Sequence, residues 1–70
     1  MNTYKRIKTM RKMRGMNQTD LAIKCGYADK SMIARIESGQ IDLSLSKLQS
    51  IARALNVNPA YLIGDEENVD

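Results

Sequence analysis

Residues 17–39, NQTDLAIKCGYADKSMIARIESG, hold two short helical patterns back to back, and their reading decides the fold. Asn17 is a favoured N-cap, and Asp20 three residues on brings a carboxylate to the positive end of a helix. A helix is therefore predicted over Gln18–Cys25, with Leu21, Ala22 and Cys25 facing inward and Gly26 ending it. Asp29 is the predicted cap of the next helix, Lys30–Ser38, which Gly39 closes. At 100° per residue Lys30, Ser31, Ala34 and Arg35 fall within roughly 140° on one side, while Met32, Ile33 and Ile36 take the other. One face of this helix belongs to a core. The opposite face, of short or cationic side chains, is left for something outside the protein.

The same periodicity extends in both directions. Upstream, a helix is predicted over Thr3–Arg14, stopped by Gly15. Tyr4, Ile7, Met10, Arg11 and Arg14 lie within roughly a 120° arc of it. Arg11 thus sits inside the apolar stripe, where a guanidinium needs a partner. Downstream, Ser44 caps a helix over Leu45–Leu55, with Leu48, Ile51, Ala52 and Leu55 at i, i+3, i+4 and i+7. Asn58 then caps a short helix that begins at Pro59 and ends at Gly64. No period-2 run is long enough for a strand. The expected fold is an all-α, compact five-helix bundle over residues 1–64. Its expected core is Ile7, Met10, Leu21, Ala22, Ile33, Ile36, Leu48, Ile51, Leu55 and Leu62. Residues 65–70, DEENVD, read as an acidic tail or the start of a linker.

Composition narrows the function classes. A chain of 70 residues buries only about 60% of its unfolded surface, so small domains often need staples. Here there is no His and Cys25 is the only cysteine, so neither an intrachain disulfide nor a zinc site is expected. Cys25 reads as a reduced, small hydrophobe. No cofactor, metal or small-molecule ligand is implied, and no catalytic constellation stands out, so the chain does not read as an enzyme. No apolar run approaches the roughly 18 residues of a membrane span, and the basic N-terminus lacks the apolar stretch of a signal peptide, so a cytoplasmic location is expected. Residues 1–64 carry eleven basic and four acidic side chains, net +7, and six of the eleven fall between Lys5 and Arg14. Such a basic body suits an anionic partner such as nucleic acid, or simply a solubilising surface.

Two short helices joined by a tight Gly-containing turn form a helix-turn-helix. The second helix must enter a major groove about 12 Å wide, so one of its faces must stand free. The first must brace it closely, which the small Ala22 allows, with Ile33 and Ile36 supplying the packing. Beyond this pattern, RIKTMRKMRGMNQTDLAIKCG, IARIESG and SLSKLQSIARALNVNPAYL resemble, in order, the Cro/CI-type (lambda-repressor-like) helix-turn-helix family over about residues 4–63. The resemblance rests on Ile7, Arg11, Met16, Asn17-Gln18, Leu21-Ala22, Gly26, Ile36-Glu37-Ser38-Gly39 and Leu48, Ile51, Ala52 and Leu55. The chain departs from the family at Cys25, which replaces a Leu, at Ile23, where a polar residue is usual, and in the turn. From Gly26 to Ile33 there is one residue more than the commonest spacing, falling at Tyr27-Ala28.

The resemblance implies a sequence-specific regulator of the phage or bacterial repressor type. It would bind double-stranded DNA through the major groove, as a homodimer on a pseudo-palindromic operator. Asp29, Lys30, Ser31, Ala34 and Arg35 match its recognition positions, and four of these five are the residues the wheel places outward. Lys30, Ser31, Ala34 and Arg35 are the candidate base contacts, with Arg35 first because Arg is the commonest reader of guanine. Asp29 reads as a cap. Gln18 matches a glutamine that touches phosphate and buttresses the recognition helix, and Asn17, Arg14 and Gln40 complete the candidate phosphate contacts. Arg14 and Lys30 each have a second reading, packing for the first and phosphate for the second. Arg11 and Glu37 match a family ion pair, which would supply the partner Arg11 needs. Lys5, Arg6, Lys8 and Lys12 read as an ordinary solvated face, or one or two of them as approaching the DNA backbone. An alternative use of the same fold is a protein-interaction module, antitoxin- or anti-repressor-like.

Overall fold

The computed structural model describes residues 2–64. The tail expected at 65–70 lies outside them. Five helices follow one another: α1 (Thr3–Met13), α2 (Gln18–Lys24), α3 (Ser31–Glu37), α4 (Leu45–Leu55) and α5 (Pro59–Ile63), with no strand among the described residues. Each start has a local cause. The Asn2 side chain accepts from the Lys5 N–H, Ser44 from Lys47 and Asn58 from Ala60. At α2 the bonding is reciprocal: Asn17 Oδ1 accepts from the Asp20 N–H at 2.7 Å, and Asp20 Oδ2 accepts from the Asn17 N–H at 3.0 Å.

The first three helices end one residue earlier than their periodicity suggests, because Arg14, Cys25 and Ser38 stand at the C-caps. The start of α3 also differs. Lys30, not Asp29, occupies the N-cap position, with a helical backbone and no side-chain cap bond. Asp29 still supplies the missing acceptor from one residue further back, its Oδ1 taking the Ser31 N–H at 2.8 Å.

The turn between α2 and α3 explains how the chain accommodates its extra residue. Gly26 has φ +85, the left-handed conformation that costs a residue with a Cβ. Its N–H donates to Ile23 O and the Tyr27 N–H to Ala22 O, the paired bonds that close a helix C-terminus. Tyr27 then folds back half-buried against the core. The insertion is thus absorbed after a fixed helix end, and the core face of α3 keeps its register.

All ten expected core residues are buried, and Ala52 joins them. They form one cluster, reached through packing of α1 on α3, α4 and α5, of α2 on α3 and α4, and of α4 on α5. α3 is therefore held from behind by α1 and α2, with one side turned outward. Arg6 departs from the solvated face expected for it. It is only 4% exposed. Its guanidinium donates to Tyr61 O at 2.9 Å and lies 4.7 Å from the Tyr61 ring centroid, tying α1 to α5.

Candidate nucleic-acid interface

The outward face of α3 is built on the end of α2. Ala22 and Leu21 are fully buried at the crossing, as are Ile33 and Ile36 on α3. This close seat leaves Lys30, Ser31 and Arg35 exposed and Ala34 half-exposed on one side of the molecule. Asp29 adds a carboxylate there. Its acidity is raised, its pKa lying below the ordinary value, first because the Ser31 N–H bonds it, then through the Ser31 hydroxyl and the nearby positive charge of Arg35. At neutral pH the face therefore carries Lys30, Arg35 and one fixed negative charge.

Behind this face lies a buried polar knot. Arg11 Nε donates to Glu37 Oε2 at 2.7 Å and Nη2 to Oε1 at 3.1 Å, a two-bond ion pair between α1 and α3. The side chains are 8% and 4% exposed. Arg11 Nη1 donates to Met16 O at 2.9 Å, fixing the approach to α2. Gln18 Nε2 donates to Glu37 Oε1 at 3.2 Å. One carboxylate thus joins the core of α1, the first residue of α2 and the last residue of α3. The seating of α2 and α3 on α1 is thus fixed by hydrogen bonds as well as by apolar contact.

The remaining candidates are distributed unequally. Asn17 is exposed at the start of α2, its side-chain oxygen already used by the Asp20 N–H. Asn17, Gln18, Thr19 and Lys30 share one polar recess with Arg11. Thr19 was not singled out in the sequence, since an exposed Thr in a first helical turn carries no distinguishing signal. Gln40 is exposed just beyond α3, its N–H closing that helix on Arg35 O. Arg14 is turned elsewhere. Its Nε donates to Leu55 O at 2.8 Å and Nη2 to Asn56 O at 3.2 Å, so it satisfies the carbonyl end of α4. Of its two readings, this geometry favours packing.

Among the described residues, the other titratable groups with a perturbed environment are Cys25 and Tyr27. Burial pushes the Cys25 thiol pKa up, so it is held as the neutral, poorly nucleophilic form. Burial, and then Cys25, also raise the Tyr27 phenol. Among the described residues no His, Cys, Asp or Glu side chains gather in threes to hold a metal, and no helix is long and apolar enough to cross a membrane.

Comparison with known proteins places this geometry. A helix-turn-helix family model matches residues 7–62. The immunity repressor protein of Bacillus phage phi105 is 36% identical over 66 residues, which are 94% of this chain but only 45% of that protein. The chain thus spans about half the length of that relative. Among solved structures, the restriction-modification controller protein C.AhdI from Aeromonas hydrophila aligns with a TM-score of 0.82 at 31% identity, covering 87% of this chain and 91% of that one. The hypothetical transcription factor NHTF from Neisseria aligns at 0.84 and 25% identity, covering 93% and 76%. The P22 c2 repressor, solved with a synthetic operator, aligns at 0.82 over 91% and 96% of the two chains. At 23% identity that likeness is one of fold.

Proposed function

Because the chain belongs to the Cro/CI-type helix-turn-helix family, we propose that it is a sequence-specific DNA-binding transcriptional regulator, a repressor of the phage or bacterial type working in the cytoplasm. The observation that carries this reading is the outward face of α3: Lys30, Ser31, Ala34 and Arg35 side by side on a helix braced by α1 and α2. Residues 1–64 are the DNA-binding unit, and the reading assigns them no catalysis and no cofactor.

The two classes of contact have different work. Base-edge contacts from Ser31, Ala34 and Arg35 set sequence preference. Phosphate contacts from Asn17, Gln18 and Gln40 set affinity and its salt dependence. Lys30 lies between the classes, since it opens α3 yet shares the recess with Asn17 and Gln18. A single helix of seven residues reads few base pairs, so the chain acts as a homodimer on a pseudo-palindromic operator. Its half-sites lie about one helical turn, roughly 34 Å, apart.

Selection from random duplex DNA supplies the operator, and two substitutions then test the division of labour. Arg35→Ala is expected to weaken operator binding by about 1–3 kcal/mol and to change affinity for scrambled duplex much less. Gln18→Ala is expected to weaken both duplexes together. Titration of each variant on both duplexes checks this. Equal losses for Arg35→Ala would make Arg35 a backbone clamp. Selection that enriches no sequence at all would remove the function itself.

A further inference from the structure

Asp29 keeps acceptor capacity after its local bond. The acidic side chains among the described residues are Asp20, Asp29, Glu37 and Asp42. Asp20 closes the reciprocal cap of α2, Glu37 holds Arg11 and Gln18, and Asp42 borders a hollow with Asn2, Thr3 and Leu43. Asp29 is exposed just before α3, beside Lys30, Ser31 and Arg35. In a recognition helix this N-terminal end is the one that contacts base edges. Asp29 Oδ1 accepts the Ser31 N–H at 2.8 Å, which holds the carboxylate in place. That bond needs only a neutral acceptor, and Asn or Ser would cap as well. A negative charge on a face that meets phosphates weakens binding to any duplex. Capping therefore leaves the charge unexplained.

We propose that Asp29 is a specificity-determining residue, its carboxylate accepting from the 4-amino group of a cytosine in the major groove. The inference rests on the reading of α3 as a DNA-recognition helix and adds one base to what that helix reads. The chemistry of the groove selects cytosine from the four bases. Bonds from the Ser31 N–H and hydroxyl, and the positive charge of Arg35, hold the Asp29 carboxyl below its ordinary pKa. At neutral pH it is therefore an acceptor with no proton to give, and a carboxylate has about four lone-pair positions, of which Ser31 takes only part. Guanine shows the acceptors N7 and O6 in this groove and thymine the acceptor O4, so both repel it. Adenine shows its amino donor beside the acceptor N7, so attraction and repulsion oppose each other. Cytosine shows an amino donor with no acceptor next to it.

The neighbouring side chain agrees with this choice. Arg35 is exposed on the same face and close enough for its charge to act on Asp29. Arg35 only donates and Asp29 only accepts. Such a pair matches the acceptors of a guanine and the donor of a cytosine, so the stretch that the two read together is G·C-rich.

Two variants that keep the cap separate this role from capping. Asp29→Asn retains an acceptor for the Ser31 N–H, so its thermal midpoint is expected to match the parent's, but it presents a donor and an acceptor together, the pattern that pairs with adenine N6 and N7. Selection from random duplex DNA with parent and variant is expected to change one position of each half-site from cytosine to adenine and to keep the rest. Asp29→Ser, uncharged and shorter, is expected to relax that position to no preference. A second measurement replaces that cytosine in the parent operator by pyrimidin-2-one, which is cytosine without the 4-amino group. Binding of the parent is expected to weaken roughly fivefold or more, and binding of Asp29→Ser hardly at all. Equal losses for parent and Asp29→Ser would overturn the proposal. Selected sequences that are the same at every position for the parent and both variants would make Asp29 a cap alone and overturn the proposal, with the DNA-binding reading intact. A parent selection that enriches no sequence would instead remove the DNA-binding reading and the proposal with it.

Discussion

Arg11→Ala is expected to cost about 3–5 kcal/mol of folding stability, the usual loss when one partner of a buried ion pair is removed. Glu37 would keep only the Gln18 amide, at 3.2 Å, for a carboxylate whose side chain is 4% exposed. Met16 O would lose the Arg11 donor that fixes the approach to α2. For a domain of this size, with roughly 0.05–0.15 kcal/mol of stability per residue, that loss is a large share of the whole. Urea denaturation of parent and variant measures it directly. A control separates the stranded charge from lost packing. The double variant Arg11→Met/Glu37→Leu removes both charges and should recover much of the loss, since apolar replacement of a buried pair is often close to neutral. A single-variant loss under about 1 kcal/mol would mean that water reaches the pair and that it behaves like a surface ion pair.

Ile51→Ala is expected to cost about 2–5 kcal/mol, as a large-to-small change in a closed core. Ile51 has no exposed surface. It lies on α4, which packs on α1, α2 and α5, so no single neighbour can move to fill the space. Ile23→Ala removes the same atoms from a side chain 65% exposed and should change stability by no more than about 0.5 kcal/mol. Comparing the two urea midpoints at equal m-value makes the contrast independent of the absolute stability. If Ile51→Ala unfolds at nearly the parent midpoint, the core is looser than its burial implies.

The two variants also differ in their expected effect on DNA. Ile51 lies on α4, fully buried and contributing nothing to the outward face of α3, so a folded population of Ile51→Ala should keep the parent's sequence preference. Arg11 acts on that face through Glu37 and Gln18, so Arg11→Ala should weaken operator and scrambled duplex alike, even where the variant remains folded.

How far the fold was legible follows from the range of the interactions that make it. Caps act over two or three residues, and apolar stripes repeat over three or four. Asn17, Ser44, Asn58 and the stripe Leu48, Ile51, Ala52, Leu55 therefore announce α2, α4 and α5 from the chain alone, and the expected core follows from the same stripes. Where that reading slipped, the competing structures were equally local. At α3 an Asp29 bond to Ser31 does the work of a cap while Lys30 takes the cap position.

The arginines show what sequence could not decide. Arg6 and Arg11 on α1 and Arg14 at its C-cap stand within nine residues, and each carries the same long, flexible stem and charged head. Arg11 finds Glu37 26 positions away, Arg6 finds Tyr61 55 positions away, and Arg14 finds Leu55 and Asn56 41 and 42 positions away. Periodicity showed that Arg11 lay in the apolar stripe and so needed a partner, and family resemblance suggested which one. For Arg6 the helical pattern gave no such warning. Its head reaches Tyr61 only because α5 is laid against α1. A guanidinium on a stem of three methylenes can reach solvent or a neighbouring helix from the same backbone position. Which it does is set by what the rest of the chain places within reach, and that is fixed only when the helices have packed.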